Sequence, residues 1–199
     1  MALVNYAKKE IQFKIVFYGP GMCGKTTNLQ IIHDKVPAKS KGKMASLATS
    51  QDRTLFFDFL PLKSSVIEGF VTKFQMYTVP GQVKYNSTRK LVLRNCDGVV
   101  FVADSQLSKA QENIESLKNL EENLREQNDS LDTLPLVFQY NKRDLPGIAP
   151  VQYLDFTLNN RSRKVPALEA CAFDGTGVVE TLNSIAKFVV QDFVEKKNS

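Results

Sequence analysis

Apolar segments recur along the chain at intervals typical of a buried sheet. Residues 11–19, 98–104 and 134–142 are rich in β-branched and aromatic residues, which predicts strands inside the protein. The segment KVPALEACA, residues 164–172, predicts a further strand. Two more apolar segments, 54–62 and 69–79, are joined by a short connection and predict a hairpin.

Helical periodicity separates most of these strands. Residues 24–36 predict a helix that Pro37 ends, and residues 177–196 predict a closing helix. Between them, apolar side chains recur every three or four positions at Ala110, Ile114, Leu117, Leu120 and Leu124. This alternation predicts an α/β fold with helices on both faces of a mostly parallel six-stranded sheet that has one antiparallel hairpin strand. In such sheets, ligands bind beyond the carboxyl ends of the strands.

Composition narrows the class of protein. The 199 residues are 43% hydrophobic and 24% charged, which suits one globular domain spanning residues 1–199. The three cysteines are far apart in sequence, which argues against a disulfide framework or a zinc site and favours a cytoplasmic location. No signal segment or bilayer-length apolar run is present, so we expect no direct membrane insertion.

The net charge of +5 is partly concentrated in KVPAKSKGK, residues 35–43. This segment is interpreted either as a solvated loop or as a surface that steers an anionic nucleotide or binds an acidic partner or lipid. The basic residues are not interleaved with aromatic ones, so we expect no nucleic-acid binding.

The first predicted strand leads directly into GPGMCGKT, residues 19–26, which matches the phosphate-loop pattern G-x-x-x-x-G-K-[ST]. Glycines in such a loop let backbone N–H groups point at phosphate oxygens, and the following helix adds its positive end. Lys25 would reach the β and γ phosphates, and the Thr26 hydroxyl would bind Mg²⁺. The predicted nucleotide contacts are Gly19, Gly21, Met22, Cys23, Gly24, Lys25, Thr26 and Thr27. The alternative is an ordinary Gly-Pro turn before a helix.

A second motif, NKRD at residues 141–144, ends the predicted strand 134–142. The Asp144 carboxylate can accept hydrogen bonds from the N1–H and 2-amino groups of guanine, which adenine lacks. Asn141 would face the other base edge, and the Lys142 stem would cover the ring. The motif therefore predicts GTP and GDP as ligands, with a simple surface turn as the alternative.

With both motifs in place, the chain resembles the Ras-like small GTPases from residue 11 to about residue 194. The resemblance implies a Ras-like P-loop GTPase domain with switch segments at about 37–54 and about 78–90. It also implies a final base-contacting loop at 170–173. There the chain has Cys171, Ala172 and Phe173 in place of the usual Ser-Ala-Lys. The stretches YGPGMCGKTTNL, SLATSQDRTLFFDFLP, YTVPGQ, NKRD and LEACA are similar in particular to the MglA group of bacterial polarity GTPases.

The resemblance also implies roles for residues of the two switches. Thr54 is the expected Mg²⁺-binding threonine, and Arg53 the expected internal arginine finger. Gln82 is expected to orient the attacking water, and Gly81 to contact the γ-phosphate through its N–H. Thr78 stands where the family has a metal-associated aspartate, so coupling to Mg²⁺ should be weaker.

Structural interpretations of these residues stay open. Arg53 could be a surface charge, Thr54 the first residue of a strand, and Gln82 a polar residue after a Pro-Gly turn. Compensation for the charge missing at Thr78, by Asp52 or Asp58, is a hypothesis.

The MglA resemblance implies that a GTP-loaded form marks a cell pole and directs polarity or motility effectors. It implies slow intrinsic hydrolysis that a roadblock-type dimeric activator, MglB-like, stimulates. Alone, the protein is expected to be a cytoplasmic monomer that is recruited to a pole. Two other functions stay open: a nucleotide-binding scaffold with little or no hydrolysis, and a P-loop small-molecule kinase. The sequence shows no arginine-rich lid insertion of the kind that such a kinase needs.

Overall fold

A single sheet with helices on both faces organises the chain. The computed structural model describes residues 2–48, 54–67, 69–161 and 164–198. The strands are β1 (Leu3–Asn5), β2 (Glu10–Tyr18), β3 (Ala45–Ala48), β4 (Thr54–Ile67), β5 (Phe70–Thr78), β6 (Gly98–Asp104), β7 (Leu136–Asn141) and β8 (Ala167–Glu169). The helices are α1 (Lys25–Lys35), α2 (Asn86–Leu93), α3 (Ala110–Arg125), α4 (Val151–Leu158) and α5 (Val178–Asn198).

The strand order is β3-β4-β5-β2-β6-β7-β8, and β1 pairs with the beginning of β2. The five central strands β5, β2, β6, β7 and β8 are parallel, whereas β4 runs antiparallel to β5 and β3 antiparallel to β4. The predicted α/β class and mostly parallel sheet are therefore confirmed. The carboxyl ends of the parallel strands meet at one edge, here called the carboxyl edge, which carries Tyr18, Thr78, Asp104 and Asn141.

The part of the sheet that the structure describes has eight strands rather than the predicted six. The additional strands are β1 and β3, of three and four residues. Segments this short carry no distinctive apolar alternation, and they become strands because β2 and β4 offer them hydrogen-bonding edges. Within the first predicted switch the structure also has a 3₁₀ turn at Ala38–Ser40, which, like β3, the sequence did not predict.

Two apolar cores lie on opposite faces of the sheet. Strand β6 serves both, with Val99 and Phe101 packed in one core and Val100 and Val102 in the other. The first core is completed by α2, α3 and α4, and the second by α1 and α5. Every residue of β6 is buried because helices cover both of its faces, which explains its continuous apolar sequence.

Helix α1 begins and ends where local backbone chemistry dictates. Gly24, directly before it, has φ 101°, a left-handed conformation that favours glycine, and Val36 after it is extended. The extended Val36 matches the restriction that Pro37 places on the residue before it. Among the helices of the described segments, none is both long and apolar enough to cross a membrane.

Candidate functional site

The phosphate loop, residues 19–26, crosses the carboxyl edge between β2 and α1. Gly19 has φ 145°, and a Cβ there would lie 2.1 Å from the Val102 carbonyl oxygen. A Cβ on Gly24 would lie 2.3 Å from Asn141 Nδ2. Both positions therefore need glycine, because a side chain would collide with atoms that hold the loop in place. Between them, Met22 also has a positive φ, of 59°.

Lys25 supplies the positive charge of this loop. Its side chain is buried, and Nζ donates to the carbonyl oxygens of Gly19 at 3.1 Å and Pro20 at 2.6 Å. The first turn of α1 contains no acidic residue, and Thr26 and Thr27 stand in it, both half-buried. An anion suits this arrangement, since the ammonium group and two hydroxyl-bearing residues stand at the helix N-terminus without a carboxylate in that turn.

Asn141, at the end of β7, joins the phosphate loop to the final base loop. Its amide is buried, with Nδ2 donating to the Cys23 carbonyl at 2.7 Å and Oδ1 accepting from the Ala172 N–H at 2.8 Å. The sequence predicts a contact between Asn141 and the base, but not this link between loops. One amide thus sets the distance between the predicted phosphate and base subsites.

The rest of the NKRD motif is held by charge pairs. Lys142 has φ 65°, and its Nζ contacts Asp104 Oδ2, at the end of β6, at 2.6 Å. Arg143 contacts the Glu169 carboxylate at 2.8 Å and donates to the Ala149 carbonyl. Asp144, the predicted guanine-reading carboxylate, is exposed. The two neighbouring ion pairs brace the turn that presents Asp144 to solvent.

The final base loop follows β8 and packs against this turn. Cys171 and Ala172 are buried, whereas the Phe173 ring is 88% exposed. Burial chiefly, together with hydrogen bonding to the Asp144 carboxyl group, raises the pKa of the Cys171 thiol. Lys35, at the end of α1, donates to the Gly175 carbonyl at 2.9 Å. The loop is therefore tied both to the NKRD turn and to the helix that begins at the phosphate loop.

The second predicted switch begins directly against the phosphate loop. Thr78 ends β5 opposite Phe17 and is fully buried. A Cβ on Gly81 would lie 2.3 Å from Gly21 Cα and 2.7 Å from the Pro20 carbonyl oxygen. Two segments separated by a whole hairpin thus touch, backbone to backbone, where the sequence predicts the γ-phosphate.

Gln82 follows this contact and is half-buried. Its backbone is extended, with φ −85° and ψ 133°, and its carbonyl accepts from the Tyr85 N–H as a short 3₁₀ turn begins. The structure thus places Gln82 one residue from the loop contact, and its catalytic role stays a prediction.

The first predicted switch is described only in part. Thr54 begins β4, and its backbone pairs with Ala48. Since β4 runs antiparallel to β5, its first residues point toward the carboxyl edge. Arg53 and Asp52 lie outside the described residues. Asp58 pairs through its backbone with Ser46 in β3.

The predicted Mg²⁺ ligands are hydroxyl groups rather than a cluster of acids. Within the described ranges no group of three or more His, Cys, Asp or Glu residues could hold a metal ion. Thr26 is the second residue of α1, and Thr54 is the first residue of β4. Both lie at the same edge of the sheet. Oxygen ligands of this kind suit Mg²⁺, which is commonly held by a few protein oxygens together with phosphates.

A buried amide network behind the phosphate loop was missed from the sequence. Asn28 Nδ2 donates to the Gly24 carbonyl at 2.9 Å and to Gln139 Oε1 at 2.8 Å. Gln139 Nε2 donates in turn to Asn28 Oδ1 and to the Thr181 hydroxyl. A signal for it existed, because Gln139 is a polar residue inside the apolar strand LVFQYN. The buried Arg89 on α2 was also missed, and no feature of the sequence around it indicates that it is buried.

The ADP-ribosylation factor family matches the chain over residues 1–189. The chain belongs to this family of small GTPases. As an ADP-ribosylation factor family protein it is a guanine-nucleotide-binding GTPase rather than a small-molecule kinase, and the resemblance seen in its motifs is confirmed.

Individual relatives agree with this family assignment. The mutual gliding-motility protein MglA of Myxococcus xanthus is 54% identical over 192 residues, which are 96% of this chain and 97% of that protein. ADP-ribosylation factor-like protein 6 of Caenorhabditis elegans is 26% identical over 93% of this chain and 90% of its own length. Ras-related protein rab-39 of the same worm is 25% identical over 88% of this chain and 72% of its own length.

Proposed function

We propose that this GTPase is a molecular switch that controls bacterial gliding motility and cell polarity. The close relationship to the Myxococcus xanthus protein, over nearly the full length of both chains, supports the motility part of the proposal. The switch part rests on the contact between Gly81 and Gly21. Any group that binds over Gly21 must meet the Gly81 backbone. The number of phosphates on the ligand would therefore affect the position of the second switch.

The proposed roles follow the family resemblance and, for the described residues, agree with their positions at the carboxyl edge. Lys25 and the N–H groups of Gly19 and of residues 21–27 hold the phosphates, and Asp144 selects guanine. Mg²⁺, when bound, neutralises phosphate charge, and Thr26 and Thr54 would hold it. Gln82 orients the attacking water, and Arg53 neutralises charge that develops during hydrolysis.

We propose that hydrolysis is slow until a partner rearranges the second switch. Thr78 brings no negative charge to the place where the family has an aspartate. Pro80 restricts the backbone just before Gly81. The carbonyl oxygens of Pro80 and Gly81 both accept hydrogen bonds from the buried guanidinium of Arg89. A roadblock-type dimeric activator of the MglB kind would supply the rearrangement.

The proposed cellular behaviour follows from the same relationship. The protein would be a cytoplasmic monomer when alone, and its GTP form would be recruited to a cell pole, where it binds polarity or motility effectors. Imaging of a fluorescent fusion, with Lys25→Ala as the variant that cannot hold GTP, tests this location. A polar focus that persists in Lys25→Ala would contradict recruitment by the GTP form.

A hydrolysis assay tests the proposed function. Purified protein is loaded with γ-labelled GTP, and phosphate release is followed with and without a roadblock-type dimer of the MglB kind. We expect slow release alone and much faster release with the dimer. Full-speed turnover by the protein alone would contradict the proposed dependence on an activator. Binding without release under either condition would indicate a scaffold instead.

Two carboxylate variants test whether binding is specific for guanine. Asp144→Ala should weaken GTP binding while leaving the much weaker ATP binding unchanged, because only guanine donates to this carboxylate. Asp132→Ala removes a carboxylate that contacts Arg161 near the beginning of β7, at the opposite edge of the sheet. It serves as the matched control and should bind GTP like the unchanged protein.

A further inference from the structure

Arg89, on α2, is fully buried although it belongs to no nucleotide-binding motif. Its Nε donates to the Pro80 carbonyl at 2.8 Å, and its Nη2 donates to the Gly81 carbonyl at 2.8 Å. Nη2 also lies 3.4 Å from the Gly19 carbonyl of the phosphate loop. The guanidinium therefore holds the two residues that precede Gln82 and reaches the loop against which they pack.

The other side of the guanidinium is anchored to α3 and β2. Nη1 donates to Asn119 Oδ1 at 2.5 Å, and the guanidinium lies 4.8 Å from the centre of the Tyr18 ring. The Tyr18 hydroxyl donates to the same Asn119 oxygen at 2.7 Å. Asn119 Nδ2 in turn donates to Asn86 at the start of α2. A buried polar network thus fixes where the guanidinium stands.

This geometry uses properties that only arginine has. The guanidinium is planar and always charged, and it donates in several fixed directions at once. A buried charge of this kind is tolerated only when hydrogen-bond acceptors satisfy it. Here two acceptors are consecutive backbone carbonyls, so satisfying the charge also fixes the peptide plane between Pro80 and Gly81. That plane carries the Gly81 N–H.

We propose that Arg89 is a positioning residue for GTP hydrolysis, which holds the Pro80–Gly81 backbone so that the Gly81 N–H and the Gln82 side chain meet the reacting phosphate. The proposal rests on the proposed function and adds to it a residue outside the motifs. Arg89 acts through the backbone and does not itself contact the nucleotide. Losing it would misplace Gln82 while leaving most phosphate-loop contacts intact, because Lys25 holds the Gly19 carbonyl independently.

Three variants separate this role from simple packing of α2. Arg89→Met keeps the apolar stem and removes every donor. Arg89→Lys keeps the charge, but a single ammonium group cannot reproduce the planar set of donors. Asn119→Ala removes the anchor on α3 but keeps the Arg89 side chain and its donors to Pro80 and Gly81. The matched control is Val92→Ala, which removes apolar volume from the same helix in the first core and removes no hydrogen-bond donor to Pro80 or Gly81.

The variants are compared in single-turnover hydrolysis, in affinity for fluorescent GDP, and in amide hydrogen exchange of GDP-loaded protein. We expect Arg89→Met and Arg89→Lys to lower the hydrolysis rate at saturating GTP at least about tenfold, as small misplacements near a reacting centre do. GDP affinity should change less than about threefold, since Arg89 leaves most phosphate contacts to other residues. Exchange should accelerate at the amides of Val79, Gly81 and Gln82 but not in β7.

Asn119→Ala should show a smaller loss of the same kind, and Val92→Ala should lower the unfolding temperature while hydrolysis stays unchanged. If Arg89→Met hydrolysed GTP at the rate of the unchanged protein, or lost GDP affinity and β7 protection in parallel with hydrolysis, the positioning role would be refuted. Failure of the unchanged protein to bind or hydrolyse GTP would refute the proposed function instead. In that case, amide hydrogen exchange around Gly81 would still test whether Arg89 holds the Pro80–Gly81 backbone.

Discussion

Asn141 shows how much one buried side chain contributes to the site. Its amide satisfies the Cys23 carbonyl on one side and the Ala172 N–H on the other, so phosphate and base loops share a single support. The same amide leaves no space for a side chain at Gly24. A residue that is predicted to contact the base thus also supports the two loops around it.

Replacement of Asn141 should damage stability and binding together. Asn141→Ala leaves a buried carbonyl and a buried N–H without their partners, and each such loss costs about 1–3 kcal/mol. We expect a clear fall in the free energy of unfolding, measured in urea, and weaker GDP binding, measured by fluorescence. The exposed Asn160 offers a control, because Asn160→Ala should change neither quantity.

Gly21 and Gly24 should respond differently to a side chain. A Cβ on Gly21 would meet only the Gly81 carbonyl carbon, at an ordinary 4.0 Å, so Gly21→Val should fold and bind GTP. Its methyl groups would crowd the region where Gly81 and Gln82 are proposed to act, and hydrolysis should be lost. Gly24→Ala combines a positive φ with a 2.3 Å collision and should bind nucleotide poorly. Unchanged turnover in Gly21→Val would disprove this assignment of space.

The proposed role of Arg53 as an arginine finger predicts a variant that loses GTP hydrolysis but keeps GTP binding. Arg53→Ala should bind GTP normally but lose activator-stimulated hydrolysis, by about a thousandfold if the guanidinium acts as an arginine finger. Phosphate release at saturating activator measures this. Arg125→Ala at the end of α3 is a suitable control, and intact stimulated turnover in Arg53→Ala would place the finger elsewhere.

Whole elements were predicted where their sequence signal is local. The fully buried β6 was predicted with the bounds that the structure has, Gly98–Asp104, because both of its faces are covered and every residue before Asp104 is apolar or small. Helix α3, with its regular apolar spacing, was predicted nearly as well. Helices α2 and α4 were not predicted, since each has eight residues and so too few turns for a clear periodicity.

The contact between α1, β7 and α5 provides a prediction about coupled elements. Gln139→Met should destabilise the protein by about 1–3 kcal/mol, because it removes the hydrogen bonds that Gln139 makes with the buried Asn28 amide and with the Thr181 hydroxyl. Asn28→Leu combined with Gln139→Met should cost less than the sum of the single changes, because both polar partners are then gone. Urea unfolding of the four proteins measures the coupling, and strict additivity would contradict it.

The molecule as a whole is a parallel sheet whose two cores hold ionisable groups out of water. Burial raises the pKa of the Tyr18 phenol to about 12, despite the opposing effect of the nearby Arg89. Burial likewise raises the pKa of the Cys96 thiol to about 12. Both groups are neutral in the folded protein at pH values where they ionise in the unfolded chain. Stability from these groups is therefore complete below about pH 9 and declines at higher pH.

Alkaline unfolding tests this behaviour. The free energy of unfolding should fall between about pH 9 and pH 12, by at most about 1.4 kcal/mol per pH unit for each group. Tyr18→Phe removes the phenol and should flatten the decline above pH 10, and Cys96→Ala should flatten it from pH 9. A decline with the same slope in both variants and in the unchanged protein would show that other groups cause it.

The chemistry of the site is readable from sequence where it depends on neighbours in the chain. The phosphate loop and the NKRD turn are each recognised from a continuous stretch of eight residues or fewer. Buried strands and long amphipathic helices are predicted from the local pattern of apolar residues. These features therefore followed from the order of residues alone. The links between them did not.

Folding brings together groups that are far apart in the chain, and no local pattern encodes such pairs. Asn141 meets Cys23 across 118 positions, and Arg89 meets Gly19 across 70. The approach of Gly81 to Gly21 likewise depends on β5 pairing with β2. Buried polar groups must find partners wherever the packed chain provides them. The sequence thus states which ligand the protein takes, and packing decides how the second switch is held against it.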